Sequence, residues 1–281
     1  MKNFDLAIYG NLILDQILSL ERFPSEGFAS RITKISYNPG ATANVARAYH
    51  YFTGKKPLLY SVVGKDGCGD KILESIKEYC IPKVKKIKKE TSTAVILTNK
   101  PRATRTGLVK WGTCSEMKKF TECPAGWKHF AYVDKLLNLN KDSLAAMSGI
   151  KSVDFTSFDY NDTERERISD CLGEIDYIVS SQEEACYFTK SDYIEDAALV
   201  LGGMCKGFAI LHESGGSYVS DGLNSEYVCC DHEILDNISV LGAGDIFAAS
   251  FISCFEEKLT MEEITIKSHH KTFELLREIN D

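Results

Sequence analysis

The segment Leu241-Gly242-Ala243-Gly244-Asp245 has the residue types and spacing for chemistry, because it runs straight into the apolar stretch Ile246-Phe247-Ala248-Ala249-Ser250-Phe251. A helix that opens on small residues presents unpaired backbone N–H groups at the positive end of its dipole, which makes a cradle for an anion. Asp245, in the same turn, is placed to take a proton from a hydroxyl while those N–H groups hold the charge of a transferring phosphoryl group. The same residues also suit a tight turn with Asp245 as an ordinary helix cap. Local pattern alone leaves both readings open.

Such a turn needs elements that position it. Phe4 to Tyr9 is a short apolar run closed by Gly10, as a buried strand would be. Short, partly alternating stretches from Gln16 to Ser36 read as small exposed strands, and Asn38-Pro39-Gly40 reads as a turn. Ala43 to Phe52 follows as a helix with Val45, Ala48, Tyr49 and Phe52 on one face. Pro57 to Val63 predicts a second buried strand and Asp70 to Tyr79 a second helix. Strand alternating with helix is the rhythm of a parallel sheet covered by helices. Thr93 to Thr98 and Thr106 to Trp111 interrupt that rhythm as two alternating strands joined by a polar tip with Pro101, Arg102 and Arg105. From His129 the rhythm resumes, with strands expected in HFAYV, KSVDFTSF, IDYIVS, FAILHE and YVSDG. Helices are expected at Leu144 to Ser148, Arg165 to Cys171, Glu183 to Phe188 and Glu195 to Cys205.

Composition bounds the function. The chain has 281 residues, 44% hydrophobic and 26% charged, as an ordinary globular protein does. At roughly 150 residues per domain, that length allows two domains or one with an insertion. Its net charge of −7 argues against a general polyanion binder. The lysine cluster Lys83, Lys85, Lys86, Lys88 and Lys89 lacks interleaved aromatics and reads as a solvated edge rather than a nucleic-acid site. Asp5 and Asp15 interrupt the apolar start, so neither a signal peptide nor a membrane span is expected. The ten cysteines are scattered without Cys-x-x-Cys pairs, which points to reduced thiols in the cytoplasm and to no metal-bound cysteine.

Four segments occur in order: Gly10-Asn11-Leu12-Ile13-Leu14-Asp15, Pro39-Gly40-Ala41-Thr42-Ala43-Asn44-Val45-Ala46, Val63-Gly64-Lys65-Asp66-Gly67-Cys68-Gly69, and the late Gly-Ala-Gly-Asp. In this order and spacing the chain resembles the ribokinase-like (PfkB) carbohydrate kinases over nearly its whole length. The resemblance implies a single three-layer α/β domain over 1–281, a mainly parallel sheet between helices, with a small β lid at about 12–38 and 91–113. It puts Asp15, Gly40 and Asn44 on the sugar-binding side. A carboxylate accepts hydroxyl hydrogen bonds, an amide donates and accepts, and glycine lets a ring approach the backbone. It makes Asp245 the catalytic base and Gly242, Ala243 and Gly244 the anion hole. The implied reaction transfers the γ-phosphoryl group of ATP, with Mg²⁺, to a primary hydroxyl of a sugar or sugar-like substrate.

Several positions depart from the family pattern. Ser181-Gln182-Glu183-Glu184 stands where many members have Asn-x-x-Glu, so Glu184 is kept as a metal-site residue acting through water, while Ser-x-x-Glu is also a helix capping box. Ser239-Val240-Leu241 lacks a carboxylate associated with a monovalent-cation site, and Ser214-Gly215-Gly216 replaces a longer glycine turn. His212 stands where a threonine is common, and Asp159-Tyr160-Asn161 is similar to the family's Asp-x-Asn-x-Arg with Thr163 in place of the arginine. The C-terminal helix, Glu262 to Glu278, is charged rather than alanine-rich, with His269 and His270 expected to be exposed. A sugar kinase, a nucleoside kinase and a binding protein that no longer turns over all remain compatible. Arg102 and Arg105 at the lid tip suit an anionic substrate or simple solvation, and Phe23, Phe28, Tyr37 and Trp111 suit a nucleobase or a dimer seal. Lids in this family often pair between subunits, which implies a homodimer.

Overall fold

The structure is a computed structural model that describes residues 4–99, 104–117, 123–155, 160–230, 241–255 and 258–280. The main sheet is built on β1 (Phe4–Gly10), β4 (Leu58–Gly64), β5 (Ile81–Ile87), β8 (Ala125–Ala131), β9 (Ile150–Asp154), β10 (Tyr177–Ser181) and β11 (Phe208–Glu213), all parallel. An antiparallel hairpin, β12 (Gly216–Ser220) and β13 (Ser225–Cys229), extends one edge. Among the described residues the order is β13-β12-β11-β10-β9-β8-β1-β4-β5. Four further strands form a separate sheet in the order β3-β2-β6-β7: β2 (Leu12–Leu20), β3 (Ile32–Ala41), β6 (Thr93–Asn99) and β7 (Thr104–Lys110).

Alternation along the central strand sorts the two faces. Leu6 and Ile8 of β1 join one buried cluster, and Ala7 and Tyr9 join the other. The first cluster packs under α1 (Thr42–Thr53), α2 (Gly67–Ile76), α7 (Ala243–Cys254) and α8 (Met261–Asn280). The second packs under α3 (Lys141–Ala145), α4 (Asp162–Leu172), α5 (Gln182–Thr189) and α6 (Ile194–Met204). With helices on both faces, the sheet meets the expectation of a three-layer α/β fold. Among the described residues no helix is long and apolar enough to cross a membrane.

Two expectations need correction. Asn38-Pro39-Gly40 is strand rather than turn, because β3 pairs with β2 as far as Leu12↔Ala41, and the chain bends only at Ala41, where φ is 58°. His269 is buried instead of exposed: its Nε2 lies 2.9 Å from Ser217 Oγ on β12 and its ring packs against Phe247, while His270 is exposed. The lysine cluster is exposed and falls largely on β5, an edge strand whose charged side chains discourage further pairing, in agreement with a solvated edge.

Candidate active site

Open parallel sheets place their ligand crevice beyond the carboxyl ends of the strands. Here a cavity of about 220 Å³ lies at that edge, with Asp15, Ala41, Asn44, Glu184, Gly242, Gly244 and Asp245 in its wall. The structure therefore brings together the candidates from four distant stretches of chain. Asp245 sits in the first turn of α7, and Gly242 precedes that helix with φ at 80°, a left-handed conformation that glycine adopts without strain. Gly242, the N-cap residue, has no side chain to cap this helix, and the leading N–H groups of a helix have no partner within it. Asn44 Nδ2 donates to Asp245 Oδ2 at 2.9 Å, tying the α1 motif to the α7 turn across 201 residues.

Asp15 projects from β2 against Gly40, its neighbour across the β2/β3 ladder, where Ile13 pairs with Gly40 and Asp15 with Asn38. A methyl group on Gly40 would lie 2.0 Å from Asp15 Oδ2, so this carboxylate position requires glycine. Burial pushes the Asp15 carboxyl up to about 7, against the opposing pull of the Arg47 guanidinium. Glu184 on α5 is likewise raised to about 7, first by burial and then by the charge of Asp154, with Ser181 bonding acting in the other direction. Ser181 is the N-cap of α5, its Oγ accepting from the Glu184 N–H at 3.4 Å, so the capping and site readings of this segment coexist.

Sequence reasoning missed Asp154 and Tyr132. Asp154 ends β9 and lines the cavity. Its carboxylate accepts from the Tyr132 backbone N–H and lies 3.5 Å from His129 Nε2. The available signal was a carboxylate ending a short apolar strand. Of the stretch Asp159-Tyr160-Asn161, Asp159 lies outside the described residues, and Asn161 caps α4 through a reciprocal bond with Glu164. Tyr132, at the end of β8, lines the cavity with φ at 83°.

His212 also lines the cavity, its ring against Phe247 and its Nε2 3.7 Å from where a Gly244 β-carbon would stand. Burial lowers its pKa to about 4, so the imidazole is neutral near pH 7. Ser239, Val240 and Arg102 lie outside the described residues, and Arg105 sits on β7 opposite Thr98. Phe28, Tyr37 and Trp111 are exposed, and Val109 is the β7 residue in the cavity wall.

The fold has close counterparts among solved structures. Ribokinase from Thermotoga maritima superposes with a TM-score of 0.77 at 16% identity, covering 95% of this chain and 90% of that one. Adenosine kinase from Sinorhizobium meliloti gives 0.76 at 16%, covering 99% and 95%. The nucleoside kinase of Methanocaldococcus jannaschii gives 0.72 at 19%, covering 97% and 92%. At these identities the likeness is one of fold. No curated protein sequence matches the chain. Residues 3–270, however, match the pfkB family carbohydrate kinases, and the chain belongs to that family.

Proposed function

We propose that the protein is an ATP-dependent kinase that transfers the γ-phosphoryl group to a primary hydroxyl of a sugar or nucleoside. The observation that carries this reading is the pairing of Asp245 with Asn44 in one cavity wall, with Asp15 in the same wall. In the proposed step the acceptor oxygen attacks the γ-phosphorus and its proton passes to the Asp245 carboxylate. The bond from phosphorus to the bridging oxygen breaks and ADP leaves. The N–H groups at Ala243, Gly244 and Asp245 hold the negative charge that spreads over the transferring oxygens. Asp15 and Asn44 orient the acceptor through its other hydroxyls, and Gly40 gives Asp15 the room to do so. The four-stranded sheet acts as the lid that excludes water from the transfer.

The donor set suits Mg²⁺ bound together with nucleotide phosphates. Among the described residues no group of three or more His, Cys, Asp or Glu side chains forms a complete metal cage. Mg²⁺ retains several waters and needs only one or two carboxylates, which Glu184 and Asp154 supply in one cavity wall. Glu184 would hold it through water, and the ion would neutralise phosphate charge. The exposed apolar side chains of Ile35, Tyr37, Leu108 and Trp111 suit pairing of two lids. A homodimer mass in analytical ultracentrifugation is the expected result, and a monomer at micromolar concentration would exclude the pairing.

Asp245→Asn tests the base assignment. It is expected to lower kcat about a thousandfold, within the range of general-base contributions, with acceptor binding retained in calorimetry. Near wild-type turnover by this variant would refute the assignment. Binding of an acceptor by the unaltered protein, with no ADP released on any sugar or nucleoside, would instead identify a binding protein.

A further inference from the structure

Tyr132 is held in an uncommon backbone conformation, φ 83° and ψ 115°, at the point where β8 ends and a short 3-10 turn begins. Positive φ is rare for a bulky residue, and glycine would occupy the position without strain. The conformation is fixed from outside: the Tyr132 N–H donates to the Asp154 carboxylate, which the His129 ring also faces. Strained residues held in this way concentrate at ligand clamps and active sites. Tyr132 lines the same cavity as Asp15, Asn44 and Asp245.

The surroundings define what its hydroxyl can do. Asp15, Asp154, Glu184 and Asp245 line the same cavity as Tyr132. Those carboxylates are hydrogen-bond acceptors when ionised, and a tyrosine hydroxyl is a hydrogen-bond donor. An acceptor molecule bound to Asp15 through its hydroxyls would also present oxygens that require a donor. As a lining residue of a cavity of about 220 Å³, Tyr132 also bears on the room an acceptor has.

We propose that Tyr132 is a specificity-determining residue that donates a hydrogen bond to an oxygen of a neutral polyhydroxy acceptor and limits that acceptor's bulk with its ring. The proposal rests on the kinase reading for the identity of the acceptor, but it makes a separate claim about which side chain selects it.

The test uses the full chain unaltered and as Tyr132→Phe and Tyr132→Ala. Each protein is assayed for acceptor-dependent ADP formation with pentoses, hexoses and nucleosides, and calorimetry measures binding of the same compounds. Tyr132→Phe keeps the ring and is expected to raise KM for the preferred acceptor about tenfold, the effect of losing one hydrogen bond, with kcat changed less than about threefold. Tyr132→Ala is expected to shift the kcat/KM ratio between bulkier and smaller acceptors about tenfold toward the bulkier. KM values within twofold for Tyr132→Phe, together with unchanged ratios for Tyr132→Ala, would overturn the proposal and leave the kinase reading intact. If the unaltered protein binds acceptors without turnover, the kinase reading falls and the same tenfold changes, read in Kd, support the role of Tyr132. If it neither binds nor phosphorylates any of them, both fall together.

Discussion

At the amino edge of the main sheet, buried ammonium groups end on backbone carbonyls. Lys128 Nζ donates to Ala125 O at 3.2 Å and to Ser148 O, and Lys151 Nζ donates to Met147 O at 3.1 Å. At the carboxyl edge, Asp15 and Glu184 are half-buried carboxylates whose nearby favourable partners, Arg47 and Ser181, do not offset the burial. Both edges take charge out of water, which is costly unless the charge is paired or hydrogen-bonded. The difference is that the amino edge satisfies its charges within the fold, whereas the carboxyl edge keeps carboxylates that burial disfavours and that, under the proposed function, a bound ligand would meet. The first arrangement favours stability and the second favours binding, and substitutions at the two edges are expected to separate these properties.

The thousandfold loss expected for Asp245→Asn is the largest effect at the carboxyl edge. Gly40→Ala comes next. Its new methyl group would stand 2.0 Å from Asp15 Oδ2, so the carboxylate must swing away from its place. Two charge-assisted hydrogen bonds to an acceptor would then be lost, raising KM about a hundredfold. The melting temperature should stay near that of the unaltered protein, because only a side-chain end has to move. Unchanged acceptor KM would refute the placement of Asp15 in acceptor binding.

Lys128→Met is the opposite experiment. It keeps most of the buried aliphatic volume but removes the donor to Ala125 and Ser148. Leaving those carbonyls unpaired is expected to cost about 2 kcal/mol in denaturant unfolding, with acceptor KM unchanged. A loss of acceptor binding at full stability would show that the two edges do not divide the work in this way.

How much of this was legible in sequence follows from whether a feature is local. The turn at Gly242 to Asp245, the helix after Asn44 and the alternation of the small-sheet strands are carried by neighbouring residues, and these segments occupy the expected elements. His269 was misread because its burial depends on Ser217 and Phe247, which arrive from other elements. Pro39 and Gly40 carried a strong local turn signal, but pairing with β2 overrode it. Tyr132 and Asp154 were missed for a related reason. A residue ending a parallel strand enters the cavity because of the sheet order, and β8 and β9 lie beside each other only after folding. Even the matching motifs left the roles of Asp15 and Glu184 open, since whether a carboxylate is solvated or buried is not written in its neighbours.

The smallest effect, and the most direct reading of the contrast between edges, is the dependence of stability on pH. Asp15 and Glu184 are each raised to about 7 from ordinary values of 3.8 and 4.5. A carboxyl group raised on folding binds its proton more tightly in the native state. Its stabilisation is therefore fully present below the unfolded value and is lost as pH rises through the folded value. The ligand-free protein should lose stability progressively from about pH 4 to pH 7, when other titrations are matched by comparison with variants. Asp15→Asn removes one of the two ionisations and should melt about 2 °C above the unaltered protein at pH 8, while binding acceptor more weakly. Lys128→Met should leave this acidic limb in place, since it removes no group responsible for it. Parallel pH profiles for Asp15→Asn and the unaltered protein would show that Asp15 is not held buried at the cost of stability, and the contrast between the two edges would then rest on Glu184 alone.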